Sequence, residues 1–358
     1  MSMELDAGAV DAAWLTQRLR AAGVIRDARV TDVVSKAVGV GMLGDSIRFA
    51  VSYDRDEGAP ASFVGKFASA DPVSRKTGFE FGLYGREVGF YRHVAKTVDI
   101  RVPHCFSAEI DESDGSFALL LEDLTPARPG NQLTGCDLTD AERAMEQAAA
   151  LHGPRWNDET LRAHAFLDTS GARDFVIQVF PDCIAEFHRR YDGMLEPEYM
   201  AICDRYAAVV SKATDHQPTA FTLTHGDFRL DNMLFDANGG RDPLAVLDWQ
   251  SPAIGIGAVD VAYFLGLALS IEDRRAHERH LLDYYLDRLR SYGVRDYGYD
   301  DLYRDYRLTL LSGVSTAIFA SASTKRTERG DQMFLAMARG GCAQAIDTEA
   351  LEMLERVA

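Results

Sequence analysis

The segment His225-Gly226-Asp227-Phe228-Arg229-Leu230-Asp231-Asn232 sets an aspartate five residues ahead of an asparagine, and sixteen residues beyond the asparagine Asp248 closes an apolar run in VLDWQ. These residue types suit the transfer of a phosphoryl group. A hydroxyl nucleophile needs an acceptor beside it, while a triphosphate needs hard oxygen ligands that hold Mg²⁺ a few ångströms away. A short loop carries the first two groups and a neighbouring strand end carries the third. Taken in isolation, the segment has a plain alternative: a polar turn in a hairpin.

Further features extend the set. Gly39, Gly41 and Gly44 form a G-x-G-x-x-G string. A dinucleotide site needs a helix to begin in such a turn, whereas here an alternating strand begins at Ile47, so the string fits a flap over phosphates between two strands. A glycine-rich hairpin turn is its bland counterpart. Lys66 lies on the next strand, in VGKF, where a long cation can reach the α- and β-phosphates, although lone strand lysines are usually just exposed. Glu87, on the following helix, supplies a carboxylate able to pair with that lysine, with Glu80 the competing candidate. The order of flap, lysine strand, glutamate helix, aspartate loop and second aspartate is shared by few folds.

Periodicity gives the elements that must hold these groups. Val10, Trp14, Leu15 and Leu19 recur at helical spacing. Strands follow: one in VTDVVSKAVGVG, one in SIRFAVSYD, where Ile47, Phe49, Val51 and Tyr53 alternate with polar or small residues, and a third carrying Lys66. A helix is predicted over 79–98, two more strands around CFSAEID and SFALLLEDL complete a small mixed sheet, and TPARPGNQLTG is a connector. Thr139 and Glu142 form a capping-box signature for a helix that stops at Gly153 and Pro154. Helical patterns then dominate, except for a predicted hairpin across residues 221–252. There is no internal repeat.

Composition bounds the partners. With 47% hydrophobic and 26% charged residues in 358, the chain must bury a core, and its length allows about two domains. Thirty-eight basic residues stand against 55 acidic ones, a net charge of −17, with no polybasic run, so neither nucleic acid nor a membrane surface is an expected partner. The five cysteines, Cys105, Cys136, Cys183, Cys203 and Cys342, are scattered without metal-ligand spacing, as in a reduced, cytoplasmic protein. The acidic N-terminus lacks a signal-peptide pattern, and the apolar stretch from Val259 to Leu269 is too short to span a bilayer.

The sequence resembles the aminoglycoside phosphotransferase and choline kinase group, small-molecule kinases with a protein-kinase-like fold. HGDFRLDN is similar to that group's HGD-x4-N loop, VLDWQ to its second magnesium motif, and ALHGPRW to the Leu-His segment upstream. The match runs over most of the chain in the same order, strong in these segments and weak in the C-terminal helices. The resemblance implies a role for each matching position. Asp227 would accept or orient the acceptor hydroxyl's proton, Asn232 and Asp248 would hold Mg²⁺, and Lys66, positioned by Glu87, would bind the phosphates. Leu121-Glu122-Asp123-Leu124 would be the hinge, where backbone groups, at Glu122 and Leu124 above all, contact adenine. His225 would shape the loop. Arg229 stands where antibiotic kinases often have histidine; it would stabilise the transferring phosphoryl group or, alternatively, be a surface arginine paired with Asp231. Gln250 leans away from the antibiotic-resistance members, toward the ecdysteroid-kinase-like and acyl-CoA-dehydrogenase-associated branches. Asp260 stands where that group often keeps a structural carboxylate, with a helix N-cap as the simpler and preferred reading, and His277 and His280 are read as surface histidines.

The expected architecture is α+β, with a nucleotide-binding lobe over 1–121 and a larger, mainly helical catalytic and substrate-binding lobe over 122–358. The expected activity is ATP- and Mg²⁺-dependent phosphorylation of a small-molecule hydroxyl; the alternative is a kinase-fold module that binds nucleotide or metabolite without catalysis. A protein kinase is disfavoured because D-F-G and A-P-E segments are missing. For the acceptor, acidic residues (Asp273, Asp300, Asp301) and tyrosines (Tyr284, Tyr285, Tyr297, Tyr299) are the competing candidates.

Overall fold

A computed structural model describes residues 5–39, 43–213 and 220–356. The chain forms two compact units, each assembled from separate stretches: residues 1–96, 102–126 and 247–251 in the first, and 97–101, 127–246 and 252–358 in the second. Gly41 lies outside the described residues.

The first unit is built on a five-stranded sheet of β1 (Val30–Val38), β2 (Gly44–Tyr53), β3 (Ser62–Ala68), β4 (Cys105–Asp111) and β5 (Ser116–Glu122), in the order β1-β2-β3-β5-β4. Each pairing is antiparallel, not mixed as the sequence reading has it, because each strand returns beside a neighbour with no parallel crossover. Alternation along the strands sorts the side chains. Phe49, Phe63, Phe67, Ala118 and Leu120 join one apolar cluster with Leu15 and Leu19 of the opening helix α1 (Ala12–Ala21). Lys66, one residue from Phe67, takes the opposite face.

That opposite face meets α2 (Pro72–Glu80) and α3 (Leu83–Gly89), with Tyr84 stacked on Phe117 at 4.6 Å between ring centroids. The single helix predicted over 79–98 is therefore two helices and a π-turn, Phe90–Val94. The break falls at Gly82, whose φ of 66° lies in the left-handed region that a continuing helix cannot use.

The second unit is mainly helical. It holds α4 (Leu138–His152), α5 (Ser170–Tyr191), α6 (Pro197–Ala213), α7 (Ala258–Ala268), α8 (Ile271–Ser291), α9 (Tyr299–Thr309), α10 (Ser312–Ser323), α11 (Glu328–Thr348) and α12 (Ala350–Arg356). The cap of α4 is Asp137, whose carboxylate accepts from Asp140 N at 2.9 Å; the predicted Thr139 and Glu142 box does not form, since Thr139 already lies inside the helix and Glu142 pairs with His280. Short strands fill the remainder: β6 (Arg128–Pro129), β8 (Met233–Asp236) and β9 (Asp242–Val246) in one ribbon, β7 (Thr222–Thr224) and β10 (Ala253–Gly255) in another. The predicted hairpin is thus β8–β9, flanked by a second pairing that closes across it.

Helix α7 is buried along nearly its whole length among α4, α9 and α11. Only Asp260 and Tyr263 in it carry polar side chains, and three residues apart they share a face. Among the described residues no helix is long and apolar enough to cross a membrane.

Candidate active site

In the first unit, three sequence-distant side chains converge. Lys66 Nζ lies 2.8 Å from both carboxylate oxygens of Glu87 and 2.9 Å from Oδ1 of Asp248, which is 182 residues away in sequence. Glu87, not Glu80, is the partner: Glu80 is exposed and faces Lys76 at 3.7 Å. Burial works to lower the Lys66 ammonium, yet the carboxylates of Asp248 and Glu87 outweigh it and hold the group raised, so it stays cationic. Burial pushes the Glu87 carboxyl up while Lys66 pulls it down; with both oxygens at 2.8 Å from Nζ we read the two as an ion pair.

Asp248 is held by its own segment. Trp249 stacks face to face on Phe90, centroids 3.8 Å apart, and donates its N–H to Glu87 Oε1 at 3.3 Å. Asp248 itself has φ 62°, a left-handed conformation costly for a residue with a Cβ, of the kind that persists where the surroundings over-determine a functional backbone. Its carboxylate remains 35% exposed, so one side is open beyond Lys66.

Of the glycine string, Gly39 precedes the undescribed residues with φ 76°, and Gly44 opens β2. A Cβ on Gly44 would sit 3.1 Å from Phe67 O and 3.5 Å from Lys66 Cε, so the missing side chain leaves space beside the lysine. At the predicted hinge, Leu124 is buried, but the Glu122 N–H is already donated to His104 O at 2.8 Å and its carboxylate accepts from His104 N at 3.0 Å. That amide is engaged in the fold.

In the second unit, the aspartate loop is braced from below by α7. Asp260 is not the N-cap, which is Gly257; its carboxylate accepts from His225 N at 2.7 Å, Gly226 N at 3.0 Å and His152 Nε2 at 3.1 Å. An ionised carboxylate only accepts, so His152 carries its proton on Nε2. Its Nδ1 then accepts from Tyr285 OH at 2.8 Å, a hydroxyl that burial keeps protonated. His225 is fully buried and its Nδ1 accepts from Asp227 N at 3.2 Å, the loop-shaping role assigned to it.

Asp227 is densely coordinated. Arg229 Nε donates to both its oxygens at 2.9 and 3.0 Å, Asn232 Nδ2 to Oδ2 at 2.8 Å, and Tyr263 OH to Oδ1 at 2.9 Å. Burial would raise its carboxyl, but the charge of Arg229 and the hydrogen bonds donated by Arg229 and Asn232 hold it below the usual range, so the group is an ionised acceptor at neutral pH. Arg229 is largely buried and bridges Asp227 to Asp231, Nη1 to Oδ2 at 3.0 Å; it is a member of the loop's charge network rather than a surface arginine. Because Asn232 spends its Nδ2 on the Asp227 carbonyl and carboxylate, its Oδ1 is turned the other way, as an oxygen ligand requires.

Sequence reasoning missed Tyr263 and the connector, and for Asp260 it preferred a helix cap to the structural carboxylate that the residue is. Gly130 and Gln132 hold the aspartate loop directly. A Cβ at Gly130 would lie 2.2 Å from Leu230 O, so only glycine permits the approach, while Gln132 Oε1 accepts from Leu230 N at 3.2 Å and its N–H reaches Asp231 at 3.0 Å. A signal existed for α7: two polar side chains at i and i+3 in an otherwise apolar helix must find partners once buried. None existed for the connector, whose contacts lie about a hundred residues away in sequence. Most of the acceptor candidates are occupied by the fold. Asp273 accepts from the capping hydroxyl of Ser270, Asp301 accepts from the N-cap Gly298 N, Tyr285 and Tyr297 are buried on His152 and Asp305, and Tyr284 and Tyr299 are covered by Arg288 and Arg279.

The model of the ecdysteroid kinase-like family matches residues 41–299. Acyl-CoA dehydrogenase family member 10 of Mus musculus is 52% identical over 42 residues, which are 12% of this chain and only 4% of that protein's length. Among solved structures, a Ralstonia eutropha protein assigned as an aminoglycoside phosphotransferase superposes with a TM-score of 0.57 at 16% identity, over 96% of this chain and 98% of the other. APH(2″)-IIIa, solved as its complex with GDP and kanamycin, gives 0.53 at 14% identity over 97% and 98%. At these identities the likeness shows the fold: a kinase-like arrangement of a small antiparallel-sheet unit and a larger helical one.

Proposed function

As the chain belongs to the ecdysteroid kinase-like family, we propose that it moves the γ-phosphoryl group of ATP, with Mg²⁺, to a hydroxyl of a small molecule. The observation that carries this reading is the convergence of Lys66, Glu87 and Asp248 from a strand, a helix and a segment 182 residues away. A cation fixed by one buried carboxylate and shared with a second, half-open one is the arrangement that binds phosphates beside a metal.

The chemistry of the donors suits Mg²⁺: this ion takes oxygen ligands, usually one or two carboxylates completed by substrate phosphates and water, and Asp248 would offer a carboxylate and Asn232 its amide oxygen. When bound, Mg²⁺ supplies charge neutralisation on the phosphates. Lys66 binds phosphate oxygens, and Glu87 keeps Lys66 extended. Asp227 receives the acceptor's hydroxyl, orients a lone pair toward the γ-phosphorus and takes up or shares the proton. The acceptor O–P bond forms as the bond from phosphorus to the β-phosphate bridging oxygen breaks, with the electron pair leaving on ADP. Arg229 holds Asp227 anionic and meets the charge that develops on the transferring group.

The test is transfer from γ-labelled ATP, with Mg²⁺, across a panel of aminoglycosides, amino alcohols, sterols and hydroxyacyl thioesters, in the wild type and in Asp227→Ala. Label on one class of acceptor with the wild type, and none with the variant, is the expected result. Nucleotide binding without transfer to any class would favour the alternative, a non-catalytic nucleotide-binding module.

A further inference from the structure

Gln250 follows Asp248 by two residues and is 8% exposed, yet its Nε2 has no hydrogen-bond partner among the described residues. A buried amide N–H₂ left unpaired is costly, so native folds rarely keep one without a use. The surroundings of this group are specific. Nε2 lies 3.6 Å from where a Cβ on Gly44 would stand, and Lys66 Cε lies 3.5 Å from that same point. The nearest atom to that point is the Phe67 carbonyl oxygen at 3.1 Å, so the missing side chain at Gly44 leaves a narrow gap bordered by that oxygen, the Lys66 side chain and the Gln250 amide at the end of the glycine string. All three residues belong to the first unit.

A buried amide without a partner among the described residues, beside the side chain of the lysine read as the phosphate-binding cation, suits an anionic oxygen. Lys66 Nζ donates to Glu87 and to Asp248, and an ammonium has a third N–H to offer a ligand oxygen alongside the Gln250 amide. We propose that Gln250 is a phosphate-binding residue, donating through Nε2 to an oxygen of the nucleotide's phosphates beside Lys66. The assignment rests on the kinase reading above and adds to it a donor outside the set of Lys66, Asn232 and Asp248. A glutamine serves here where a glutamate would repel the phosphate and crowd a third carboxylate against Glu87 and Asp248.

Gln250→Leu and Gln250→Met test this by calorimetric titration with ATP, ADP and adenosine, together with thermal melting of the ligand-free proteins. A hydrogen bond to a charged oxygen corresponds to about a 10- to 100-fold loss of affinity. That loss is expected for ATP in both variants, with adenosine binding unchanged. The ligand-free variants are expected to melt at or above the wild-type temperature, since each removes an orphaned polar group from the interior. Wild-type affinity for ATP in both variants would overturn the role of Gln250 and leave the kinase reading intact. So would a lowered melting temperature with equal losses for ATP and adenosine, which marks a structural residue. Failure of the wild type to bind any of the three would overturn the kinase reading and this inference together.

Discussion

The two functional clusters are satisfied to different degrees. Around Asp227 the pairing is dense: Arg229, Asn232 and Tyr263 donate to the carboxylate, Asp260 fixes the loop backbone, and His152 and Tyr285 fix Asp260. Around Lys66 the pairing is incomplete. One cation faces two carboxylates, Asp248 is partly exposed in a left-handed backbone, and Gln250 carries an amide unpaired among the described residues. The contrast separates two tasks. A group that must hold one reacting atom in place is preorganised by a closed network, whereas a group that must take up a charged ligand keeps valences in reserve and stores the cost in the fold.

Three substitutions and a cap comparison probe that contrast, from the largest effect to the smallest. Asp227→Asn removes the acceptor while keeping its shape and is expected to lower kcat by about 10² to 10⁴ with ATP affinity retained, measured by steady-state kinetics and titration. Lys66→Met leaves Glu87 buried and unpaired and is expected to cost about 3–5 kcal/mol in denaturant unfolding. Lys66→Met with Glu87→Met should recover most of it, because the uncompensated charge is gone; no recovery would mean that the pair is not what stabilises this region.

Tyr263→Phe takes one donor from Asp227. A loss of about threefold to tenfold in kcat is expected, in keeping with one hydrogen bond. The pH dependence fixes the sign. Asp227 is held below the ordinary carboxylate range, so the stability it contributes is present above the unfolded value near 3.9 and is lost as pH falls through the lower folded value. Removing a donor to the ionised form raises that folded value, so the acid limb of the pH–rate profile in Tyr263→Phe should move to higher pH. A limb that stays put while kcat falls would place Tyr263 outside the tuning of Asp227.

The smallest expected effect concerns legibility. Asp137→Ala should cost about 1 kcal/mol as the loss of an N-cap, and Thr139→Ala no more than about 0.5 kcal/mol. The Thr-x-x-Glu pattern is present at the start of α4, but the helix begins two residues earlier because Asp137 meets the Asp140 N–H first. Elsewhere, local pattern was enough. The strands carrying Lys66 and flanking the glycine string follow from alternation, and the aspartate loop and Asp248 from residue types at fixed spacing. What local pattern could not carry is partnership across the chain. Lys66 and Glu87 were legible as a possible pair, but Tyr263 on Asp227 and Gln132 on Leu230 arise only when α7 and the connector close on the loop. The acceptor tyrosines illustrate the converse: Tyr285 and Tyr297 read as pocket candidates, yet burial commits them to His152 and Asp305.

Calorimetric titration of ATP into the wild type and Asp248→Asn, each with and without Mg²⁺, addresses the phosphate-and-metal assignment at its root. Wild-type affinity should rise when Mg²⁺ is present, and Asp248→Asn should lose that rise. Binding that ignores the metal in both proteins, or no binding at all, would contradict it.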